Sequence, residues 1–278
     1  MNQQKILPGA IREKEWLNAH KQDIIGTKAK LPAKTYHVRP NLYSTPLPDT
    51  EPGRGGISWS HLIIGPERSL IIDTGFGAGD LKGLAEELGG KRPIVVFNTH
   101  SHHDHTSGNF QFDSVYCPEY DLKNMTETQP GQLHSLTDGQ LFNLGDNYLV
   151  EAIHIGGHTP GSMVFLDHQN KILFSGDVLM GLTTLIMFET PFYPEYGTIS
   201  FFHQSLKKLI MRKDEFSCLY PGHGELDLTC DVIPDMLSLT EQVLGHPEIF
   251  DTESSFKDIP CKQKSHGTAT LRYIDSCL

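Results

Sequence analysis

The chain has 278 residues, 38% of them hydrophobic and 21% charged, with a formal net charge of −11. That length gives one large domain or two small ones, and the ordinary composition excludes disordered and collagenous classes. The acidic balance makes generic binding to nucleic acid or anionic membranes repulsive, and apolar runs such as Leu62-Ile63-Ile64 and Ile94-Val95-Val96-Phe97 fall far short of the ~20 residues of a membrane span.

Residues 1–35 read as a polar N-terminal extension with a short helix over 11–21 and then a loop. Met1 to Lys5 lacks the basic start and apolar core of a signal peptide. Residues 36–43 alternate weakly, as a strand does. Residues 46–56 hold three Pro and three Gly and read as a loop. Two β-type runs follow, 57–64 and 69–73, split by the turn signal Gly65-Pro66. Apolar residues at 81, 84, 85 and 88 predict a helix over 80–88, ended by Gly89-Gly90. Residues 93–99 read as a strand buried on both faces.

The second half repeats the plan. Strands are predicted over 148–155, 162–167 and 171–175. A helix over 199–210 places Phe202, Leu206, Leu209 and Ile210 on one face. A strand over 216–220 precedes a mostly helical stretch, 226–244, interrupted by Pro234. Residues 269–274 read as an edge strand. No low-complexity tract or composition shift divides the chain, so residues 36–278 are expected to form a single domain. In each half a strand ends in Asp (Asp73, Asp177), a helix follows, and the next strand ends in His (His100, His223). Ligands of α/β proteins gather at such strand ends.

The sharpest signal is Thr99-His100-Ser101-His102-His103-Asp104-His105. A loop of this kind can send His100 and His102 to one side and Asp104 with His105 to the other. His158 lies in Gly156-Gly157-His158-Thr159-Pro160-Gly161, Asp177 in Phe174-Ser175-Gly176-Asp177, and His223 in Tyr220-Pro221-Gly222-His223-Gly224. Glycine beside each lets the backbone turn sharply and approach closely. Imidazole and carboxylate together suit borderline divalent metals, zinc above all. Five His and two Asp exceed the needs of one tetrahedral ion and suffice for two. His103 is expected in solvent, and His61, His154 and His168 in ordinary surface or core roles. The cysteines (Cys117, Cys218, Cys230, Cys261, Cys277) are odd in number and lack Cys-x-x-Cys, so reduced thiols in a cytoplasmic protein are expected.

These motifs, with Asp73-Thr74-Gly75, occur in the order found in the metallo-β-lactamase superfamily, and from about Tyr36 to Leu244 the chain resembles its di-zinc hydrolases, such as glyoxalase II and the lactonases. The resemblance implies a four-layer αββα sandwich with the site at one edge of two sheets. It implies a first zinc on His100, His102 and His158, a second on Asp104, His105 and His223, and Asp177 bridging. Iron or manganese are the alternatives to zinc. A water between two such metals has its pKa lowered to about 7 and attacks an acyl carbon. Asp104 would orient it and pass a proton to the leaving group, and Asp73 would fix the ligands from behind.

The aromatic stretch 179–202 follows the bridging Asp. It would act as a lid walling an apolar pocket, or else pack the domain or a dimer interface. Met180, Phe188, Phe192, Tyr193, Tyr196 and His203, with Trp59 from the opposite edge, are the candidate pocket residues. Asp at the bridging position differs from typical β-lactamases, which carry Cys or Ser near there. Met180 stands where homoserine lactonases carry Tyr. His223-Gly224-Glu225 lacks the aromatic expected in glyoxalase II, and His102 stands where diiron oxygen reducers carry Glu. The expected activity is hydrolysis of a carboxylic ester, thioester or lactone with an apolar acyl part. The alternatives are β-lactam or phosphodiester cleavage on the same fold, or a non-catalytic metal scaffold. The expected partner is a small-molecule acyl substrate, with no nucleic acid and no membrane, and a C2 homodimer is the base-rate assembly.

Overall fold

The computed structural model describes residues 8–51, 56–126, 128, 130–188 and 190–278. An eight-stranded sheet runs in chain order: β1 (Ile24–Ile25), β2 (Thr35–Arg39), β3 (Leu42–Pro48), β4 (Ile57–Ile64), β5 (Ser69–Ile72), β6 (Ile94–Phe97), β7 (Val115–Pro118) and β8 (Leu133–Leu136). The second sheet is built from β9 (Leu141–Asn143), β10 (Leu149–His154), β11 (Met163–Asp167), β12 (Ile172–Gly176) and, beyond β13 (Leu185–Met187), β14 (Cys218–Pro221). A third sheet joins β13 to a C-terminal meander of β15 (Thr252–Phe256), β16 (Ile259–His266) and β17 (Ala269–Tyr273).

The two large sheets face one another across an apolar layer. Trp59, Ile63, Leu70 and Phe97 of the first meet Val150, Met163, Phe165 and Phe174 of the second. The outer face of the first sheet is covered by helix α2 (Leu81–Gly89), whose Leu81, Leu84 and Ala85 are buried against Leu62, Ile71 and Val96. The outer face of the second is covered by α4 (Ile199–Ile210) and α5 (Val232–Gly245), with the third sheet packed among them. The layers run helix, sheet, sheet, helix, which is the αββα sandwich. Among the described residues no helix is long and apolar enough to cross a membrane.

Two parallel pairs set the site edge. β5 pairs with β6, and β12 with β14, each through an intervening helix. Asp73, His100, Asp177 and His223 therefore emerge from strand C-termini on one rim. Backbone hydrogen bonds tie the two sheets together there: Met163 N donates to Thr99 O at 2.9 Å and Trp59 N to Gly222 O at 2.8 Å. The rim is thus one continuous hydrogen-bonded frame.

Several local expectations need correction. Pro46 to Pro48 are not loop; they extend β3 against β4, with Pro46 opposite Trp59 and Pro48 opposite Ile57. Asp49 N donates to Gly56 O across that ladder, so the nitrogens of residues 46 and 48 face the open side, where proline costs no ladder bond. Residues 36–43 form a hairpin of two strands rather than one. Pro234 does not interrupt α5. It is the third residue of the helix, where the N–H has no intrahelical partner. Leu228 instead bridges Leu219. β17 is an interior strand, paired on both sides by β13 and β16.

Helix α1 (Pro8–Ala19) folds back onto the frame. Its Trp16 is 6% exposed and stacks edge-on against Tyr36 and Trp59 at ring separations of 5.4 and 5.5 Å. Trp16→Ala should cost about 3 kcal/mol of stability, read as a lower urea midpoint; an unchanged midpoint would show that α1 contributes nothing to the fold.

Candidate metal centre

The chain following β6 leaves the sheet, bends through residues 99–101 and reaches His102 in extended backbone before the single turn α3 (His103–Thr106), which carries Asp104 and His105. His158 comes from the loop joining β10 to β11, Asp177 from the end of β12, and His223 from the turn after β14. The side chains of these seven residues converge.

His100 Nε2 and His158 Nε2 lie 3.0 and 2.9 Å from His102 Nδ1. His105 Nε2 lies 3.3 Å from His223 Nε2, and Asp104 Oδ2 is 3.2 Å from the latter. Asp177 sits between the groups: Oδ1 is 3.3 Å from His105 Nε2, and Oδ2 is 3.3 Å from His223 Nε2 and 3.6 Å from His158 Nε2. A tetrahedral ion with nitrogen bonds of ~2.0–2.1 Å separates its donors by about 3.3 Å. Three overlapping groups, which share His100 and His105, have ligand atoms all within 4.8 Å of one another, close enough for an ion: His100, His102, His158; His100, His105, Asp177; and Asp104, His105, His223.

The outer ring nitrogens decide where the lone pairs point. His158 Nδ1 donates to Ile186 O at 2.7 Å, His223 Nδ1 to Ile57 O at 2.5 Å, and His105 Nδ1 to Asp73 Oδ2 at 2.8 Å. Thr99 Oγ1 donates to Asp73 Oδ2 at 2.8 Å, which leaves its oxygen to accept from His100 Nδ1 at 3.0 Å. In all four rings Nε2 then faces the site. Buried Asp177 Oδ1 has no hydrogen-bond donor. Imidazole nitrogens and carboxylate oxygens gathered at this spacing are the donor set of a borderline divalent cation, which would satisfy them together. The donor set therefore fits a metal ion.

The electrostatics divide the site in two. Burial, with His105 and His102 beside it, holds His100 well below its usual range, and burial with neighbouring His158 pushes His102 down to about 3. Burial would also lower His105 and His223, but Asp177 and the other carboxylates override it, holding His105 well above its usual range and lifting His223 to about 10. Burial would raise Asp104 and Asp177, yet the adjacent imidazoles keep both well below the usual carboxylate range. The carboxylate side of the site draws positive charge.

A cavity of about 690 Å³ opens over this floor, walled by Phe76, Met180, Ile186, Phe188 and Phe256, with Lys257 at its rim. Of the candidate pocket residues, Met180 and Phe188 line it. Tyr193 and Tyr196 pack instead on Tyr120, at 5.3 and 4.4 Å, and Phe192 lies under the Lys123 ammonium. His203 bonds to Thr240 Oγ1 between α4 and α5. Trp59 is fully buried and donates its indole N–H to Gly224 O, bracing the turn after His223. Among the other histidines, His103 is exposed, and buried His61 pairs with Ser44 Oγ. Phe256 and Lys257 were not anticipated. They sit on a hairpin remote in sequence, with only an ordinary polar turn as local signal.

Residues 53–117 and 125–223 match the family described as the metallo-beta-lactamase superfamily. The chain belongs to that superfamily. It is 30% identical over 161 residues to the human "Acyl-coenzyme A thioesterase MBLAC2", covering 42% of this chain and 57% of that protein. It is 33% identical over 150 residues to the "Hydroxyacylglutathione hydrolase" of Salmonella paratyphi A, covering 53% of this chain and 54% of that one. The chain thus spans about half the length of the curated relatives it matches. Among solved structures, the DIM-1 metallo-beta-lactamase exposed to ceftazidime aligns with a TM-score of 0.59 and 22% identity, over 76% of this chain and 97% of that one. This likeness concerns the fold.

Gly222 is a sensitive point of the site. A Cβ there would lie 2.4 Å from Asp177 Oδ1 and 2.7 Å from His105 Cε1. If the site holds zinc, Gly222→Ala is expected to weaken its binding by roughly tenfold or more in chelator competition, with an unchanged far-UV circular dichroism spectrum. Zinc affinity equal to that of the wild type would contradict a role for Asp177 as a ligand.

Proposed function

We propose that the chain is a binuclear metal-dependent hydrolase of thioesters with an apolar acyl part, with carboxylic esters and lactones as neighbouring substrates. The observation that carries this reading is the position of Asp177: its Oδ1 lies against His105 and its Oδ2 between His223 and His158, so one carboxylate touches both histidine groups beneath an apolar cavity. His100, His102 and His158 would hold one ion and Asp104, His105 and His223 the other, with Asp177 shared and zinc preferred. Ions held there would supply Lewis-acid charge and a nucleophile at neutral pH.

The protein's own groups do the rest. Met180, Ile186 and Phe188 receive the acyl chain and exclude water from it. Asp104 is 19% exposed and lines the cavity, so its carboxylate is placed to take the proton of the attacking water and return it to the leaving group. Asp73 keeps His105 in one tautomer. A thiol leaving group, with a pKa of about 8.5, needs little protonation, and a site in which one carboxylate handles the proton suits it. Both relatives described above bear names of thioester-cleaving enzymes. Thiols such as Cys117 and Cys261, buried and outside any disulfide, support a cytoplasmic enzyme.

The test is a panel of acyl-CoA, S-lactoylglutathione, lactone, aryl ester, nitrocefin and bis-nitrophenyl phosphate, assayed with zinc-loaded and chelated protein. Thioester turnover should be highest, lost on chelation and restored by zinc, with Asp104→Asn lowering kcat about 100-fold or more. Metal-independent turnover, or a preference for nitrocefin, would contradict the reading. Lys257→Ala should raise KM several-fold for an acyl-CoA, whose carrier is anionic, and leave the uncharged N-acetylcysteamine thioester unaffected. Equal effects on both would remove Lys257 from carrier recognition.

A further inference from the structure

Asp121 is fully buried in the short turn Glu119–Asn124 that follows β7. Its carboxylate accepts three hydrogen bonds from two other loops. Oδ2 takes the Ser101 N–H at 2.9 Å and the Thr159 hydroxyl at 2.8 Å, and Oδ1 takes the Gly161 N–H at 2.9 Å. Ser101 stands between His100 and His102, and Thr159 follows His158. The residue thus grips, from behind, both loops that carry the three nitrogens of the first metal group. The approach is close: a Cβ on Gly161 would lie 2.6 Å from Asp121 Cγ.

A buried carboxylate is costly unless its oxygens are satisfied, and its two oxygens, each with two lone pairs, have room for all three donors. Asp73 does the comparable work on the other side, holding His105 directly and His100 through Thr99. Asp121 lies in the stretch 118–124, between the two segments that match the superfamily.

We propose that Asp121 is a positioning residue that sets the spacing of the His100–His102 loop against the His158 loop, so that their three nitrogens close on one ion. This rests on the metal-dependent reading above.

Asp121→Asn and Asp121→Ala test it. Whichever way the Asn amide turns, its –NH2 faces the N–H of Ser101 or of Gly161, so at least one of the three bonds is lost; Ala removes all three. The readouts are zinc content after dialysis against a limiting chelator, the visible spectrum of the cobalt-loaded protein, and the thermal midpoint of the chelated protein. Wild type should retain two ions. Both variants should lose one of them with affinity lowered roughly 10–100-fold, keep the other, and show an altered cobalt spectrum. Should the Ala variant fail to fold, Thr159→Val, which removes one of the three donors, should weaken the same ion in the same direction. Variants that keep both ions at wild-type affinity with an unchanged cobalt spectrum would overturn the proposal. So would variants destabilised equally with and without metal. A wild-type protein that binds no zinc would instead overturn the metal-dependent reading itself.

Discussion

A close gathering of imidazole nitrogens and carboxylate oxygens around Asp177 organises this molecule. Four imidazoles are committed through Nδ1 to Ile57 O, Ile186 O, Asp73 and Thr99, so their Nε2 atoms meet inside the site. Asp177 adds a carboxylate oxygen with no donor of its own. The surrounding frame holds these groups close together, and cations bound among them would satisfy nitrogen and carboxylate donors at once. On the reading proposed above, metal affinity and fold stability would be coupled.

The frame has the stiffness for that task. Both parallel strand pairs deliver their C-termini to one rim, and main-chain bonds between Thr99 and Met163 and between Trp59 and Gly222 join the two sheets at that rim. Trp59 shows how closely core and site are connected. Its ring is part of the inter-sheet layer, while its N–H holds the turn that carries His223. A change in the core there would move a donor atom in the site.

Much of this was legible in the sequence because the signals are local. The run from His100 to His105, the glycines beside Asp177 and His223, and the amphipathic spacing of 199–210 each report on a few neighbouring residues. The parallel β–α–β units could be read from the order of strand, helix and strand. What escaped depends on distant partners. The prolines of β3 looked like a loop because only the unpaired edge beside them makes proline harmless. Strands β7, β8 and β9 are short, and their pairing, not their composition, makes them strands. Trp59 reads equally well as pocket wall or core until its neighbours are known. Phe256 and Lys257 reach the cavity from a hairpin of the third sheet, which no local pattern places over the site. Asp121 carries no motif at all; its role exists only through Ser101, Thr159 and Gly161.

The central claim is that seven side chains hold a pair of ions around Asp177, and anomalous diffraction at the zinc edge tests it most directly. The account predicts two peaks about 3.5–4 Å apart, one against His100, His102 and His158, the other against Asp104, His105 and His223, with Asp177 touching both. A map from zinc-loaded crystals with no peak there, or with a single ion that leaves either histidine group unengaged, would contradict it.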